Sequence, residues 1–303
     1  MIDARLKEVF TRLGIKTLVE TGTDMGETVA EVATWFAEAS PEFGTIEGFV
    51  ETGARSYNAW NEPIRYPCFR ACGDSAYKIF SVDCDEESYR NAKRNFASNP
   101  NIVLVNESSE VFLRRIIGQL RDTSPDGVFF FLDAHWGPSW PIRDELATIA
   151  GMERFIVAID DFFVPGRSDI RKARGEFGFD FYRRRILSWG YIHDCFAPGS
   201  VRVFYPETPN RDRRGWCLLT RGYSAADLDF LGRLGLVEMS ADDPRHLGVL
   251  QPEWSTYLDL RILLRLFFPL EWLRRAFRAV ESLRSAARFA AVPRTPFFER
   301  KHT

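Results

Sequence analysis

Two short apolar runs that stop abruptly at acid dominate the hydrophobic pattern of the chain. They are Phe129-Phe130-Phe131-Leu132, ending at Asp133, and Phe155-Ile156-Val157-Ala158-Ile159, ending at Asp160-Asp161. Unbroken aromatic and β-branched runs of this length predict strands buried on both faces of a parallel sheet. Residues 141–152 lie between them, with helical spacing and a proline suited to the first helical turn. The stretch 127–161 therefore predicts strand, helix, strand. Such a crossover brings both strand ends to one edge of the sheet, where ligands of open α/β folds bind. Asp133, His135, Asp160 and Asp161 are expected to converge there. An acid after a strand can also simply hold the loop that follows.

The same alternation extends toward the N-terminus. Apolar positions 2, 6, 9, 10 and 13 predict a first amphipathic helix ended by Gly14. Residues 17–20 predict a strand, residues 21–26 a glycine loop (Thr-Gly-Thr-Asp-Met-Gly), and residues 27–39 a helix. Asp24 and Glu27 have capping-box spacing. Glycines at Gly22 and Gly26 let backbone approach a ligand, and the following helix start offers N–H groups. Residues 41–77 show no sustained period and read as a long irregular insertion, with Tyr57, Trp60, Arg65 and Tyr66 as candidate substrate contacts. Strands are expected at 78–82 and 101–105, with helices at 86–96 and 111–120. Asp83 ends the first of these strands, where a carboxylate can accept from both hydroxyls of a ribose. Glu107 follows the second, within reach of an adenine amino group.

Beyond Asp161, residues 181–189 read as a helix and 200–205 with 215–220 as an antiparallel edge hairpin. Residues 224–234 read as a further helix and 237–254 as irregular. The expected division is an α/β domain over 1–222 and a helical, basic extension over 223–303. Within the extension, residues 258–292 carry an apolar seam flanked by arginines, suited to docking on its own domain, on a second copy, or on an anionic membrane surface.

Composition narrows the class. Hydrophobic residues make up 45% and charged residues 27% of 303, which excludes a disordered chain. A net charge of −2 gives no general case for nucleic-acid binding. The charge is uneven, since residues 258–303 hold ten Lys and Arg against four Asp and Glu. Five cysteines behind a charged, amphipathic start, with no apolar run of membrane-spanning length, point to a cytoplasmic protein with reduced thiols.

Five strands alternating with helices, a glycine-rich first turn, and acids after the second and fourth strands resemble the class I S-adenosylmethionine-dependent methyltransferases over residues 17–220. That resemblance implies a Rossmann-like doubly wound sheet, mostly parallel with an antiparallel edge hairpin. It implies cofactor contacts at Glu20, Gly22, Thr23, Gly26, Asp83, Glu107 and Asp133. More narrowly, Leu132-Asp133-Ala134-His135-Trp136 with Ile159-Asp160-Asp161 resembles the macrocin-type O-methyltransferases, which act on sugars of natural products. This implies Mg²⁺, or another divalent cation, at Asp133, Asp160 and Asp161. It also implies a hydroxyl acceptor on a sugar-containing or other small molecule. His135 stands where that family has an acidic base, and an imidazole suits the same task. Trp136 and Trp140 are candidates for an apolar wall beside a sugar ring. Two other readings of the same residues stay open. One is a metallohydrolase using Asp133-Ala134-His135 and Asp160-Asp161. The other is a non-catalytic binding module of methyltransferase-like fold.

Overall fold

The computed structural model describes residues 2–51, 65–70, 72–135, 140–166, 179–180, 185–208, 215–240 and 243. Tyr57, Trp60, Trp136 and the whole stretch 258–292 lie outside these residues. The chain divides into two units, 1–248 and 249–303, and the described residues all belong to the first.

An eight-stranded sheet forms the centre of this unit. Five parallel strands are β1 (Thr17–Thr21), β4 (Lys78–Asp83), β5 (Ile102–Asn106), β6 (Val128–Leu132) and β7 (Phe155–Ile159). The order across the sheet is β12-β10-β11-β7-β6-β1-β4-β5, with β10 at Arg202–Pro206, β11 at Cys217–Arg221 and β12 at Leu236–Met239. From β1 the chain builds outward through β4 to β5, then returns to place β6 on the other side of β1. The direction of winding therefore reverses between β1 and β6, the position at which open α/β sheets bind ligands. β11 runs against β7 and β10 against β11, which supplies the antiparallel pair. The architecture is a Rossmann-like doubly wound sheet, mostly parallel, as the alternation of apolar runs predicts.

β6 and β7 are buried at every position, as expected of strands covered on both faces. On one face lie α1 (Leu6–Leu13) and α2 (Glu27–Ala39), packed with Leu18, Phe129, Phe131, Ile156 and Leu218 in one core. Phe10 anchors α1 there, stacked on Phe129 at 4.5 Å and edge-on to Trp35 and Phe36. Phe96 joins this core from α3 (Glu86–Phe96). α4 (Ser109–Thr123) and α5 (Ile142–Ile149) pack on each other and bury Phe112, Leu113, Ile116, Leu146 and Ile149.

Several expectations are corrected. Residues 41–77 contain a hairpin, β2 (Thr45–Glu51) with β3 (Arg65–Arg70), rather than an irregular excursion. A register shift between Ile46 and Gly48, and Pro67 within β3, obscure the alternation that would announce it. The box between Asp24 and Glu27 does not form. α2 begins instead at Gly26, in the left-handed region at φ 78°, with no side-chain cap. Residues 185–186 of the expected helix 181–189 are extended in a short ribbon, β8 (Phe179–Asp180) with β9 (Arg185–Ile186). The antiparallel pair β10 and β11 is not the rim of the sheet, because β12 pairs outside β10 within a stretch expected to be irregular. The sheet thus continues past residue 222. No described helix is long and apolar enough to cross a membrane.

Gly22 sits at the reversal. With φ 86°, a Cβ there would meet the carbonyl carbon and oxygen of Asp133 at 2.8 Å. Gly14 shares a left-handed φ of 64° but has nothing within 4 Å. Gly14→Ala should therefore cost about 1 kcal/mol, the conformational term alone. Gly22→Ala adds a backbone clash and should cost roughly 2–4 kcal/mol. Urea unfolding of the two variants checks the difference, and equal losses would show that the strand ends can move apart.

Candidate functional site at the carboxyl edge of the sheet

Register sets the layout. Thr21 of β1 pairs with Val82 of β4 and Leu132 of β6, and Leu132 with Ile159 of β7. The next residues, Gly22, Asp83, Asp133 and Asp160, therefore form one row along the edge. Backbone bonds extend the pairing into that row, from Gly22 N–H to the Val82 carbonyl (2.9 Å), Asp133 N–H to that of Thr21 (2.9 Å) and Asp160 N–H to that of Leu132 (3.2 Å).

Glu20 lies just beneath the glycine loop and is 1% exposed. The Ser81 hydroxyl donates to its Oε2 at 2.5 Å, and the Thr23 and Ser81 hydroxyls are 2.6 Å apart. Thr28 makes a further bond to the same carboxyl. Burial pushes Glu20 up to about 8, against the opposing effect of its hydroxyl partners and with a smaller push from Asp133. Glu20 and Thr23 thus brace the loop from below.

Above them, Thr21–Gly26 is a compact turn. Gly26 N–H donates to the Thr23 carbonyl (2.7 Å), and Asp24 takes a left-handed φ of 44°. Asp83 ties this turn to α3, accepting from Asp24 N–H at Oδ2 and from Asp85 N–H at Oδ1, both at 2.8 Å. Each oxygen keeps acceptor capacity for a ligand. Burial raises the Asp24 carboxyl, with the Asp83 charge adding to the effect. Glu107 follows β5, its N–H bonded to the Asp83 carbonyl and its side chain paired with Arg115 at 2.8 Å.

Tyr66 is buried rather than presented to a substrate. Its hydroxyl donates to the Met25 carbonyl at 2.7 Å, and its ring meets Phe96 edge-on at 5.7 Å. The hairpin thereby buttresses the glycine loop. Arg65 is exposed on the hairpin.

The second half of the site follows β6 and β7. His135 is 4% exposed, and its ring meets that of Trp140 edge-on at 5.7 Å. Trp140 in turn meets Tyr191 at 5.9 Å, so an aromatic row stands behind the imidazole. Asp161 is buried with a left-handed φ of 52°, uncommon for a residue other than glycine. Phe162 N–H, bonded to the Gly215 carbonyl at 2.8 Å, ties this turn to the segment that leads into β11. One donor atom from each of Asp133, His135 and Asp161 lies within 4.8 Å of the others. Asp160, although buried beside Asp161, is not a member of this group.

Five parallel strands, the closing antiparallel pair and the glycine turn at the winding reversal are now in place. The fold is of the class I methyltransferase type. Neither a protein-family model nor a curated protein matches the sequence. Among solved structures, an O-methyltransferase from Bacillus cereus in complex with SAH is 12% identical, with 71% of this chain and 78% of that one covered and a TM-score of 0.40. TomG, an O-methyltransferase from Streptomyces achromogenes involved in tomaymycin synthesis and in complex with SAM, is 11% identical, with 72% and 79% covered and a TM-score of 0.41. The 23S rRNA methyltransferase ErmE is 13% identical, with 76% and 73% covered and a TM-score of 0.34. These are distant similarities to methyltransferases whose named roles differ.

Sequence reasoning passed over two buried polar groups. Ser81 is a lone hydroxyl inside an apolar strand, and that isolation is its signal. Glu145 shares a helix face with Ile142 and Ile149, and an acid on an apolar face is likewise a signal. Burial pushes Glu145 up to about 7, despite the nearby Ser109 and Thr21 hydroxyls, which favour its charged form.

Glu20 holds its proton more tightly folded than unfolded. Its contribution to stability is therefore full below the ordinary value of 4.5 and is lost as pH rises through about 8. Glu145 behaves likewise, with loss complete near 7. Stability should fall between pH 5 and 9 by a few kcal/mol. Glu20→Gln should flatten the part of this slope above pH 7, where Glu145 no longer contributes. Urea midpoints across the range check this, and an unchanged slope in Glu20→Gln would assign the loss elsewhere.

Proposed function

We propose that this chain is an S-adenosylmethionine-dependent O-methyltransferase acting on a hydroxyl of a small molecule, with a divalent cation at the acceptor side. The observation that carries the reading is one of placement. A glycine turn, an acid at the tip of β4 and a group of two carboxylates and an imidazole share one edge, and Gly22 packs directly on Asp133.

The bound cofactor supplies a methyl group already activated by its sulfonium, so the protein's task is alignment and proton handling. Gly22 and Gly26 keep side chains out of the space above the turn, and Tyr66 and Phe96 hold the turn in place. Asp83, fixed by two backbone amides, would hold the ribose hydroxyls with its remaining acceptor capacity. Glu107, one strand further out, would meet the adenine amino group. The acceptor hydroxyl would bind on the β6–β7 side, where Asp133, His135 and Asp161 can hold a cation, which would make that hydroxyl easier to deprotonate. Trp140 and Tyr191 line up behind His135 and keep that side apolar.

A sugar-containing natural product suits this donor group because vicinal hydroxyls and a hard or borderline cation are matched in chemistry. A two-metal hydrolase needs a second cluster of ligands. Among the described residues, Asp133, His135 and Asp161 form the only group of three or more.

Calorimetry with S-adenosylhomocysteine tests the reading. Micromolar binding is expected, and Asp83→Ala should weaken it ten-fold or more, about 1.4 kcal/mol or above. Absence of binding at millimolar ligand in a protein that melts cooperatively would sink the proposal.

A further inference from the structure

The resemblance in sequence implies Mg²⁺ on Asp133, Asp160 and Asp161, with His135 as proton acceptor. The structure assembles a different set. The donors that meet are two carboxylate oxygens, from Asp133 and Asp161, and one imidazole nitrogen, from His135. Three atoms within 4.8 Å of one another share a point about 2.8 Å from each, so small side-chain rotations reach the 2.0–2.2 Å of a metal bond. Asp161 is 2% exposed and Asp133 half-buried. Two carboxylates drawn together away from water repel each other, and a cation between them offsets both the repulsion and the lost hydration.

Why Asp161 takes part and Asp160 does not follows from the backbone. Asp160 stands in register beside Asp133, so strand alternation alone would bring Asp160 to that side and turn Asp161 away, and a departure from strand geometry is needed to reverse the choice. The left-handed turn at Asp161 assigns the place to the second. His135 lies two residues after Asp133, in the loop that leaves β6.

Donor chemistry then selects the ion. Mg²⁺ takes oxygen ligands and keeps several waters, whereas an imidazole suits first-row transition ions. We propose that Asp133, His135 and Asp161 form a site for a transition divalent ion, with Mn²⁺ as its probe, and that His135 is a ligand to it rather than the proton acceptor. A nitrogen whose lone pair is engaged by a metal cannot also take a proton. The ion's role beside a methyl acceptor rests on the function proposed above, but its binding does not.

The test uses full-length protein freed of metal with a chelator and titrated calorimetrically with Mn²⁺ and Mg²⁺. Mn²⁺ should bind at least ten-fold tighter than Mg²⁺. Asp161→Asn and His135→Asn should each weaken Mn²⁺ ten-fold or more, while Asp160→Asn stays within about three-fold of the parent. His135→Asp, an all-oxygen set, should reduce the Mn²⁺ preference over Mg²⁺ by ten-fold or more. The visible spectrum of the Co²⁺-loaded protein should change in His135→Asn. Melting curves and S-adenosylhomocysteine affinity show whether each variant is folded, and a variant that is not is replaced by His135→Gln or Asp161→Ser. Mg²⁺ as tight as Mn²⁺, Mn²⁺ affinity indifferent to His135, or equal losses in Asp160→Asn and Asp161→Asn would overturn the assignment. Normal Mn²⁺ binding with no S-adenosylhomocysteine binding would leave the site standing and remove the methyltransferase reading.

Discussion

The burial of carboxylates along one edge of the sheet is the constraint on which the site depends. Glu20, Asp160 and Asp161 are all but removed from water, and Asp133 is half-buried among them. A lone buried carboxylate is costly unless it is protonated, hydrogen-bonded or paired with a cation. Glu20 meets the constraint by holding its proton up to about 8, inside a shell of Ser81, Thr28 and Thr23. Glu145, beneath the edge against Ser109 and Thr21, does the same up to about 7. A neutral Glu20 leaves less negative charge around Asp133. The lower acids thus brace the turn, and the upper ones line the edge above it.

The scaffold fixes this division through register. Because the five parallel strands end level, the residues after them form a row whose spacing is that of neighbouring strands. The glycine turn needs more support than the row supplies, since α2 begins without a side-chain cap. The hairpin gives that support. Tyr66 reaches the Met25 carbonyl, while Phe96 stands against Gly26 at 2.9 Å from where a Cβ would be. An insertion that looks irregular in sequence therefore serves the turn directly.

Much of this architecture is legible in the sequence, and the reasons differ by element. The runs ending at Asp133 and Asp160 announce buried parallel strands because full burial leaves no polar alternation to disguise them. The acids after them are legible for the same reason, since a charge at the end of an apolar run can only lie at the sheet's edge. The hairpin is hidden by Gly48 and Pro67, and β12 by its four-residue length. The strand at residues 185–186 lies in a stretch whose apolar spacing suits a helix equally well. Ser81 and Glu145 break their local patterns, but a pattern break does not name its partner. The choice between Asp160 and Asp161 depends on a single left-handed residue, and no periodicity encodes that.

Asp133 belongs to both halves of the site, which bears on how separable they are. Its N–H is bonded to Thr21, its carbonyl is pressed against Gly22, and its carboxylate lies with His135 and Asp161. Any ligand that shifts the glycine turn must therefore move, or be resisted by, the backbone that carries the carboxylate. Conversely, a cation that fixes that carboxylate stiffens the wall against which the turn is packed. Coupling of this kind needs no conformational switch, only a shared rigid contact between two sites, and it acts equally in both directions. The winding reversal is thus a joint between the two halves of the edge, and Gly22 is the point at which they touch.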